Sequence, residues 1–400
     1  MNFILNVLGI VVILGFCYLI SYDRKNIKLP IVTKALALQI VLAVVLVKIP
    51  AGVWAVGKIG DFVTKVVGYA RDGLQFVFGC LIDPTAATGF VFVVQVLGTI
   101  IFVGALVGVL TYLGILGWVI AKLGRVIGKL TGCSQLEGFI STANIFLSDT
   151  ESPLLMSRYL GFMTNSEIMV MLVSGMGSMS MSILGGYIAM GIPANYLVIA
   201  GALVPFASIA VSKMLLPEIE EPQIVENIDL SGQSKASNLI EAIANGAMDG
   251  MQMVIAIAAS LVAIISMVAL VNGALELVNL KLEEIFAWIF SPLGYLMGLD
   301  GNYPELVGKL LGCKLILTEF ISYDILGKMV SSMDQRTAMM LSIACSGFGN
   351  VSAMAICVSG IAALCPPMKG TLSKLVFRGM LGGFAVSVMN AMIVGIVLLF

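Results

Sequence analysis

ANIFLSDTESPLL, Ala143 to Leu155, sets an aspartate, a threonine and a glutamate among apolar residues, with a proline two positions later. A carboxylate in hydrocarbon costs at least about 2.5–3.5 kcal/mol on insertion scales, so it is normally functional or paired. A break at Asp149–Glu151 cuts the apolar stretch Ser134 to Thr164 into two arms of about 13 residues, about 20 Å each at helical rise. Neither arm crosses a hydrocarbon core of about 30 Å. The stretch therefore predicts a re-entrant hairpin that enters and leaves by one face. Its non-helical tip must line a cavity, because unpaired backbone cannot face lipid.

The composition agrees. Of 400 residues, 59% are hydrophobic and 11% charged, with a mean hydropathy of +1.05. These values describe an all-α polytopic membrane protein. A net charge of −1 gives nothing to attract nucleic acid. The absence of histidine removes the commonest general base, metal ligand and proton relay. The seven cysteines show no CxxC pair or metal spacing and read as small packing residues. No metal ligand set or activated nucleophile pair supports an intramembrane enzyme.

Eight full spans are expected. They begin with Asn2 to Ser21 and Pro30 to about Ile49, then Phe90 to Ala121. Ile168 to about Ile192 and Tyr196 to about Val211 follow. Ala247 to Leu277, Ala338 to Leu364 and Met380 to Phe400 complete the set. The N-terminal run lacks the preceding charge and the cleavage motif of a signal peptide. About Ala51 to Gly79 is amphipathic and reads as an interfacial helix. Pro217 to Ser237, with Glu218, Glu220, Glu221, Glu226 and Asp229, reads as a linker. Three basic groups fall on one side of this arrangement: Arg24, Lys25 and Lys28; Lys122, Arg125 and Lys129; Lys369, Lys374 and Arg378. By the positive-inside rule that side is cytoplasmic, and both termini lie outside.

A second interrupted stretch, Asn302 to Ser332, matches the first. It carries LTEF with Glu319, as the first carries Glu151. Thirteen residues after each glutamate stands a helix-start signal, Thr164-Asn165-Ser166-Glu167 and Ser332-Met333-Asp334-Gln335. Both have the capping-box form. Each opens an apolar helix broken by a Ser/Gly cluster, SGMGSMSMS (Ser174 to Ser182) or SGFGNVSA (Ser346 to Ala353). Each half thus reads as hairpin, broken helix, helix. One hairpin enters from the cytoplasm and the other from outside. Such inverted repeats place a binding site at the midplane, where the interrupted segments meet. The alternative is that Gly and Ser merely permit close packing.

Asp149, Glu151 and Glu319 are the sharpest candidate site residues; the alternative is structural pairing with Lys309, Lys314 or Arg158. Asn350, in a glycine-broken helix, offers both a donor and an acceptor. Phe348 can stack on a flat ligand or simply pack. Broken helices also bind cations through freed carbonyls, hydroxyls and amide oxygens. Asn144 and Ser178, from the same half, are candidates for a sodium site.

Together these residues resemble the concentrative nucleoside transporter family, in particular its bacterial nucleoside:cation symporters. DGLQFVFG (Asp72 to Gly79) is similar to that family's D-G-x-x-F-x-F-G stretch. SDTESP is similar to its first hairpin tip, usually G-Q-T-E. TEF is similar to its second, usually N-E-F, and GFGNVSA to its G-F-A-N-x-S-S element. Order and spacing agree over essentially the whole chain.

The resemblance implies a homotrimer in the cytoplasmic membrane, each subunit having a scaffold and a moving transport domain. The scaffold would hold residues 1–130 and 239–300. The transport repeats would hold 131–214 and 301–400, with a cytoplasmic linker at 215–238. It implies nucleoside import coupled to sodium, or alternatively to protons; a passive facilitator is the remaining rival. Thr150 and Glu151, with Asp149, would face the nucleobase and Ile183 would touch it. Glu319 and Asn350 would hold ribose hydroxyls, and Phe348 would line the pocket. Sodium would sit among Asn144, the Leu147 carbonyl, Ser178 and the Met179 carbonyl. Three residues depart from the family pattern: Asp149 stands for glutamine, Thr318 for asparagine and Ala353 for serine. A carboxylate only accepts unless protonated, so Asp149 would favour a base edge rich in N–H groups or itself bind a proton.

Overall fold

Two short hairpins meet inside a bundle of longer helices. The computed structural model describes residues 1–83, 85–223, 236–301 and 303–400. Glu226 and Asp229 of the expected linker, and Asn302 at the foot of the second hairpin, lie outside the described residues.

The bundle opens with α1 (Asn2–Leu19) and α2 (Leu29–Val47). The amphipathic stretch forms two helices, α3 (Pro50–Gly68) and α4 (Ala70–Phe78), rather than one. A π-turn at Val93–Leu97 leads into α5 (Gly98–Tyr112), and α6 (Ile115–Thr131) follows. The first hairpin holds α7 (Gln135–Phe146) and α8 (Glu151–Leu155). Its broken helix is α9 (Asn165–Gly177) and α10 (Met181–Ala189), and α11 (Ala194–Leu215) ends this half. The long α12 (Leu239–Leu275) and α13 (Leu282–Leu296) come next. The second hairpin holds α14 (Tyr303–Gly312), a π-turn at Cys313–Leu317 and α15 (Glu319–Gly327). Its broken helix is α16 (Gln335–Ala344) and α17 (Val351–Leu364), and α18 (Lys369–Val397) is last.

Four expectations need correction. Phe90 to Ala121 is not one span, because Gly114 adopts φ 70° and turns the chain. The residues after it form the amphipathic α6, laid against the first hairpin; Gly124 and Gly138 let the two backbones touch. Among the described residues seven segments are long and apolar enough to cross a membrane, not eight. The eighth, Ala338 to Leu364, is broken as expected into α16 and α17, about 15 and 21 Å long; neither qualifies alone, but the two in succession are long enough to cross a core of about 30 Å. Lys369, Lys374 and Arg378 lie within α18, not in a loop before it. Finally, Asp334 rather than Ser332 caps α16, accepting from Thr337 N at 3.0 Å. Ser332 is taken up in a 3-10 turn, and a carboxylate suits the positive end of a helix. The equal spacing of glutamate and cap therefore does not hold, although the repeat does.

Tertiary contacts fix the two ends of the bundle. At one end, Tyr22 N donates to Leu215 O (2.9 Å), and Tyr22 Oη to Lys374 O (2.9 Å). Arg378 Nε donates to Ile20 O (2.7 Å), its guanidinium lying 3.8 Å from the Tyr22 ring centroid. The foot of the first hairpin is at this end, since Ser166 Oγ donates to Leu216 O (2.8 Å). At the other end, Arg336 donates to Gly395 O (3.2 Å), Gly298 O (3.0 Å) and Met297 O (3.2 Å). Phe3 and Phe400 meet edge to face at 5.7 Å there. The second hairpin starts and finishes at that end. The hairpins thus enter from opposite ends, as an inverted repeat requires.

A buried polar knot locks the foot of the first hairpin. Two capping boxes, Ser134/Glu137 and Thr164/Glu167, stand side by side. Ser134 Oγ joins them by donating to Glu167 Oε1 (2.6 Å). Thr164 Oγ1 donates to Glu218 Oε2 (2.8 Å). Lys213 reaches in from α11, bonding Glu137 Oε1 and Ser166 Oγ (2.8 Å), and lies 3.7 Å from Glu218. All four charged side chains are less than a tenth exposed.

α12 runs for 37 residues, about 55 Å and well beyond the core thickness. It lies against α5 through paired glycines. A Cβ on Gly246 would fall 2.4 Å from Gly104 O, and one on Gly250 2.7 Å from Ile100 O.

Candidate functional site

Each hairpin breaks where the sequence suggests. Leu147 leaves α7 with extended backbone (φ −109°, ψ 161°), and Thr318 leaves the π-turn likewise (φ −154°, ψ 158°). α9 ends at Ser178 (φ −102°, ψ 172°), and Asn350 opens α17 from a similar conformation (φ −137°, ψ 167°). Four helix termini therefore converge, with backbone groups freed from the helical ladder.

The two halves interlock at these breaks. Phe348 N donates to Ser178 O (3.1 Å). Gly347 has φ 89°, and a Cβ there would also lie 2.7 Å from Gly177 O, so glycine is required twice over. Each tip touches the other half's broken helix. A Cβ on Gly360 of α17 would come within 3.0 Å of Thr150 Cγ2. Phe320 lies 5.2 Å from the Tyr187 ring of α10.

Glu319 is the best-held acid. It is 3% exposed. Tyr187 Oη donates to Oε1 (3.1 Å) and Asn350 Nδ2 to Oε2 (3.0 Å). The Asn350 Oδ1 accepts from Ala353 N (2.8 Å), capping α17, which fixes the amide's orientation. Ile183 lies one helical turn before Tyr187 on the same face and is buried. Glu151 is partly local: Oε2 accepts from Ser148 N (2.9 Å), and Ser148 Oγ from Glu151 N (3.2 Å), a capping box on the tip itself. Asp149 lies within electrostatic reach of both Glu151 and Glu319. The three predicted acids thus stand at the two hairpin breaks, Asp149 and Glu151 on the first and Glu319 on the second. Two hydroxyls at the helix breaks, Ser180 Oγ and Thr318 Oγ1, are buried without a protein partner, a debt that a polar ligand can discharge. Phe348 is half-buried beside them.

Two of the residues considered for sodium, Asn144 and Ser178, come together beside Gly175. Asn144, Leu147, Ser178 and Met179 are all buried. Asn144 Oδ1 accepts from Ser152 Oγ (2.6 Å), and its Nδ2 donates to Ser174 Oγ (2.7 Å). Ser178 Oγ donates to Gly175 O (3.1 Å). A Cβ on Gly175 would sit 3.1 Å from Asp149 Cβ and 3.8 Å from Asn144 Oδ1, so hairpin tip and helix break share one small space. The Asn144 amide oxygen and the Ser178 hydroxyl are oxygen donors of the kind a hard monovalent cation takes.

Two participants escape a reading of sequence. Tyr187 is one of ten tyrosines, and only the packing of α10 onto the opposite hairpin selects it. Lys314, considered above as a possible carboxylate partner, instead directs its ammonium to Ala344 O (3.0 Å), Ser346 O and Ser387 Oγ.

Comparison with known proteins accords with this geometry. Residues 196–395 match the family profile described as Na+ dependent nucleoside transporter C-terminus, half of the chain. The chain belongs to the concentrative nucleoside transporter family. Residues 8–81 match the N-terminal profile of the family, and residues 93–194 a profile described as nucleoside recognition. An uncharacterized transporter of Haemophilus influenzae is 35% identical, over 99% of this chain and 98% of its own. Nucleoside permease NupC of Helicobacter pylori is 30% identical, over 98% and 97%. Sodium/nucleoside cotransporter 1 of Mus musculus is 31% identical, over 97% of this chain and 63% of its own. Among solved structures, CNTnw in an inward-facing substrate-bound state superposes with a TM-score of 0.94 at 31% identity, covering 98% of each chain. An outward-facing CNTnw variant superposes at 0.93 and 30% identity, covering 99% of this chain and 98% of its own. The family is one of multi-pass membrane transporters, not an enzyme class.

Proposed function

We propose that the protein imports nucleosides across the cytoplasmic membrane by sodium symport, as a homotrimer with both termini outside. Glu319, held by Tyr187 and Asn350 at the crossing of the two breaks, carries this reading. A carboxylate oriented by two donors still has lone pairs free to accept from vicinal ribose hydroxyls. Asn350 assists it. Asp149, Thr150 and Glu151 present acceptors to the base, and Ile183 and Phe348 supply its apolar walls. Sodium takes Asn144 and Ser178 with the carbonyls of Leu147 and Met179.

Relative motion has an available boundary. α10 meets α5 across Gly185, where a Cβ would fall 2.9 Å from Thr99 Oγ1; we take this close contact as the boundary of the hairpin-bearing half. In this reading α5 and α12 belong to the fixed frame, and the hairpins, broken helices, α11 and α18 move in an elevator-like step. α2 is tied to α18 by Gln39 Nε2 donating to Asn390 Oδ1 (2.5 Å).

The driving force is of suitable size. One charge crossing 100 mV supplies about 2.3 kcal/mol, and a tenfold gradient about 1.4 kcal/mol more. Together they sustain several hundredfold accumulation, provided sodium favours the substrate-ready state. The test is uptake of labelled uridine into proteoliposomes. Uptake is expected to fall to background when choline replaces sodium. Uptake indifferent to sodium but abolished by collapsing a pH gradient would transfer the coupling to protons, with Asp149 as the carrier to examine. Flux linear in concentration without counterflow would indicate a pore.

Asp149→Gln is expected to shift preference among bases toward those that need a donor from the protein, by roughly tenfold for one exchanged hydrogen bond. Competition by a panel of nucleosides reads this out. An unchanged rank order would remove Asp149 from base recognition.

A further inference from the structure

Lys314 is fully buried, yet its three strongest contacts are not to a carboxylate. Its ammonium bonds Ala344 O (3.0 Å), Ser346 O and Ser387 Oγ, and lies 5.6 Å from the centroid of the Phe384 ring. An ammonium has three N–H donors, and here each finds an oxygen. Ala344 and Ser346 bracket the point where α16 stops, so their carbonyls are among those that the helix end leaves unpaired. Carbonyl and hydroxyl oxygens around one positive centre are the surroundings of an alkali cation in a broken helix.

The inverted repeat gives this contact its meaning. In the first half, Asn144 on the first hairpin arm faces α9 through Ser174, seven residues before Glu151. In the second half, Lys314 on the first hairpin arm faces the end of α16, five residues before Glu319. The π-turn at Cys313–Leu317 alters the register of this arm just where Lys314 stands. The seam between hairpin and broken helix is therefore built twice. One copy is lined by neutral oxygen donors, and the other already contains a charge. Lys314 also interacts electrostatically with Glu319, whose two hydrogen-bond donors, Tyr187 and Asn350, are neutral.

We propose that Lys314 is a tethered cation, occupying in the second half the position that a mobile cation takes in the first. It stabilises the second break permanently and positions Glu319, so that ion coupling is confined to one site. The comparison of halves rests on the sodium reading of the first, but the tethered charge can be tested without it.

The test uses full-length purified Lys314→Ala, with Lys314→Met as the neutral variant that fills space. Uridine binding and thermal unfolding are measured in choline, sodium, potassium and methylammonium salts. In choline, Lys314→Ala is expected to bind uridine about tenfold more weakly than the wild type, the effect of one charge-assisted contact. Potassium or methylammonium should restore affinity to within about twofold and raise the midpoint of unfolding, by the linkage expected of a ligand that binds only the folded state. The wild type should show no response to either ion. In proteoliposomes the Hill coefficient for sodium should rise from about one toward about two, because the emptied seam becomes a second ion site. Lys314→Met, with the space filled, should lose affinity without rescue.

Lys314→Met that binds uridine as the wild type does would overturn the proposal. So would a Lys314→Ala protein that responds to no cation, or that cannot be recovered folded in any of these salts. Should the wild type prove indifferent to sodium while methylammonium still rescues Lys314→Ala, the tethered cation stands and the sodium reading of the first half falls.

Discussion

Glu319→Gln is expected to weaken nucleoside binding on the order of 100-fold, since hydrogen bonds to a charged acceptor are worth roughly 1.5–3 kcal/mol. The substitution keeps the size of the side chain. It changes an acceptor of four lone pairs into an amide with one accepting end. Two of the four sites already receive Tyr187 and Asn350. A glutamine must therefore turn its NH2 group either toward one of those donors or toward the ligand. Toward Asn350 a donor faces a donor; toward Tyr187 or the ribose the amide meets a hydroxyl that must turn round to accept, and in every orientation the charge that strengthens the ribose contacts is gone. Titration calorimetry with uridine reads the loss. The same experiment with 2′,3′-dideoxyuridine supplies the control, because a ligand lacking the hydroxyls should bind wild type and variant about equally. If uridine affinity is unaltered, Glu319 does not hold the ribose. If the dideoxy ligand loses as much as uridine, the residue acts on the fold rather than the sugar.

The second large effect is expected at the foot of the first hairpin. Lys213→Met removes the cation of the buried knot while leaving Glu137, Glu167 and Glu218 in place. Breaking a buried pair from one side typically costs about 3–5 kcal/mol, because the abandoned charge remains out of water. Lys213 touches Glu137 directly and lies 3.7 Å from Glu218, so the cost should reach that range. A lower midpoint of thermal unfolding in detergent, with uridine absent, measures it. The double variant Lys213→Met, Glu137→Met should recover most of the loss, since replacing both members of a buried pair by apolar groups is often neutral or stabilising. A single variant as stable as the wild type would mean that the knot holds its carboxylates protonated and gains nothing from the lysine.

Much of the fold is legible because membrane insertion leaves the chain few options. The arms of the first hairpin are short because Leu147 and the SDTE turn interrupt an apolar run that is otherwise too regular to stop. The second hairpin follows from the same signal at Thr318-Glu319. Thr164 is legible as a cap because a hydroxyl followed by Glu167 satisfies the first free amides of a helix locally. Ser332 misleads for a complementary reason. It has the same pattern, but a 3-10 turn consumes it, and Asp334 two residues on is the better acceptor at a helix N-terminus. Phe90 to Ala121 misleads because hydropathy registers apolar residues and not the left-handed turn at Gly114.

The sequence by itself determined that the chain crosses a membrane repeatedly, that two interrupted hairpins form an inverted repeat, and that Asp149, Glu151, Glu319 and Asn350 stand at its helix breaks. These conclusions rest on segment length, on the cost of charge in hydrocarbon and on local capping, all properties of neighbours along the chain. Only the tertiary structure decided that Tyr187 and Asn350 orient Glu319, that Lys314 addresses carbonyls instead of an acid, and that Lys213 joins three helices through one buried knot. Those partners are separated by 132, 31, 30 and 76 positions in the chain, so no local pattern encodes their meeting. The packing of whole helices brings them together.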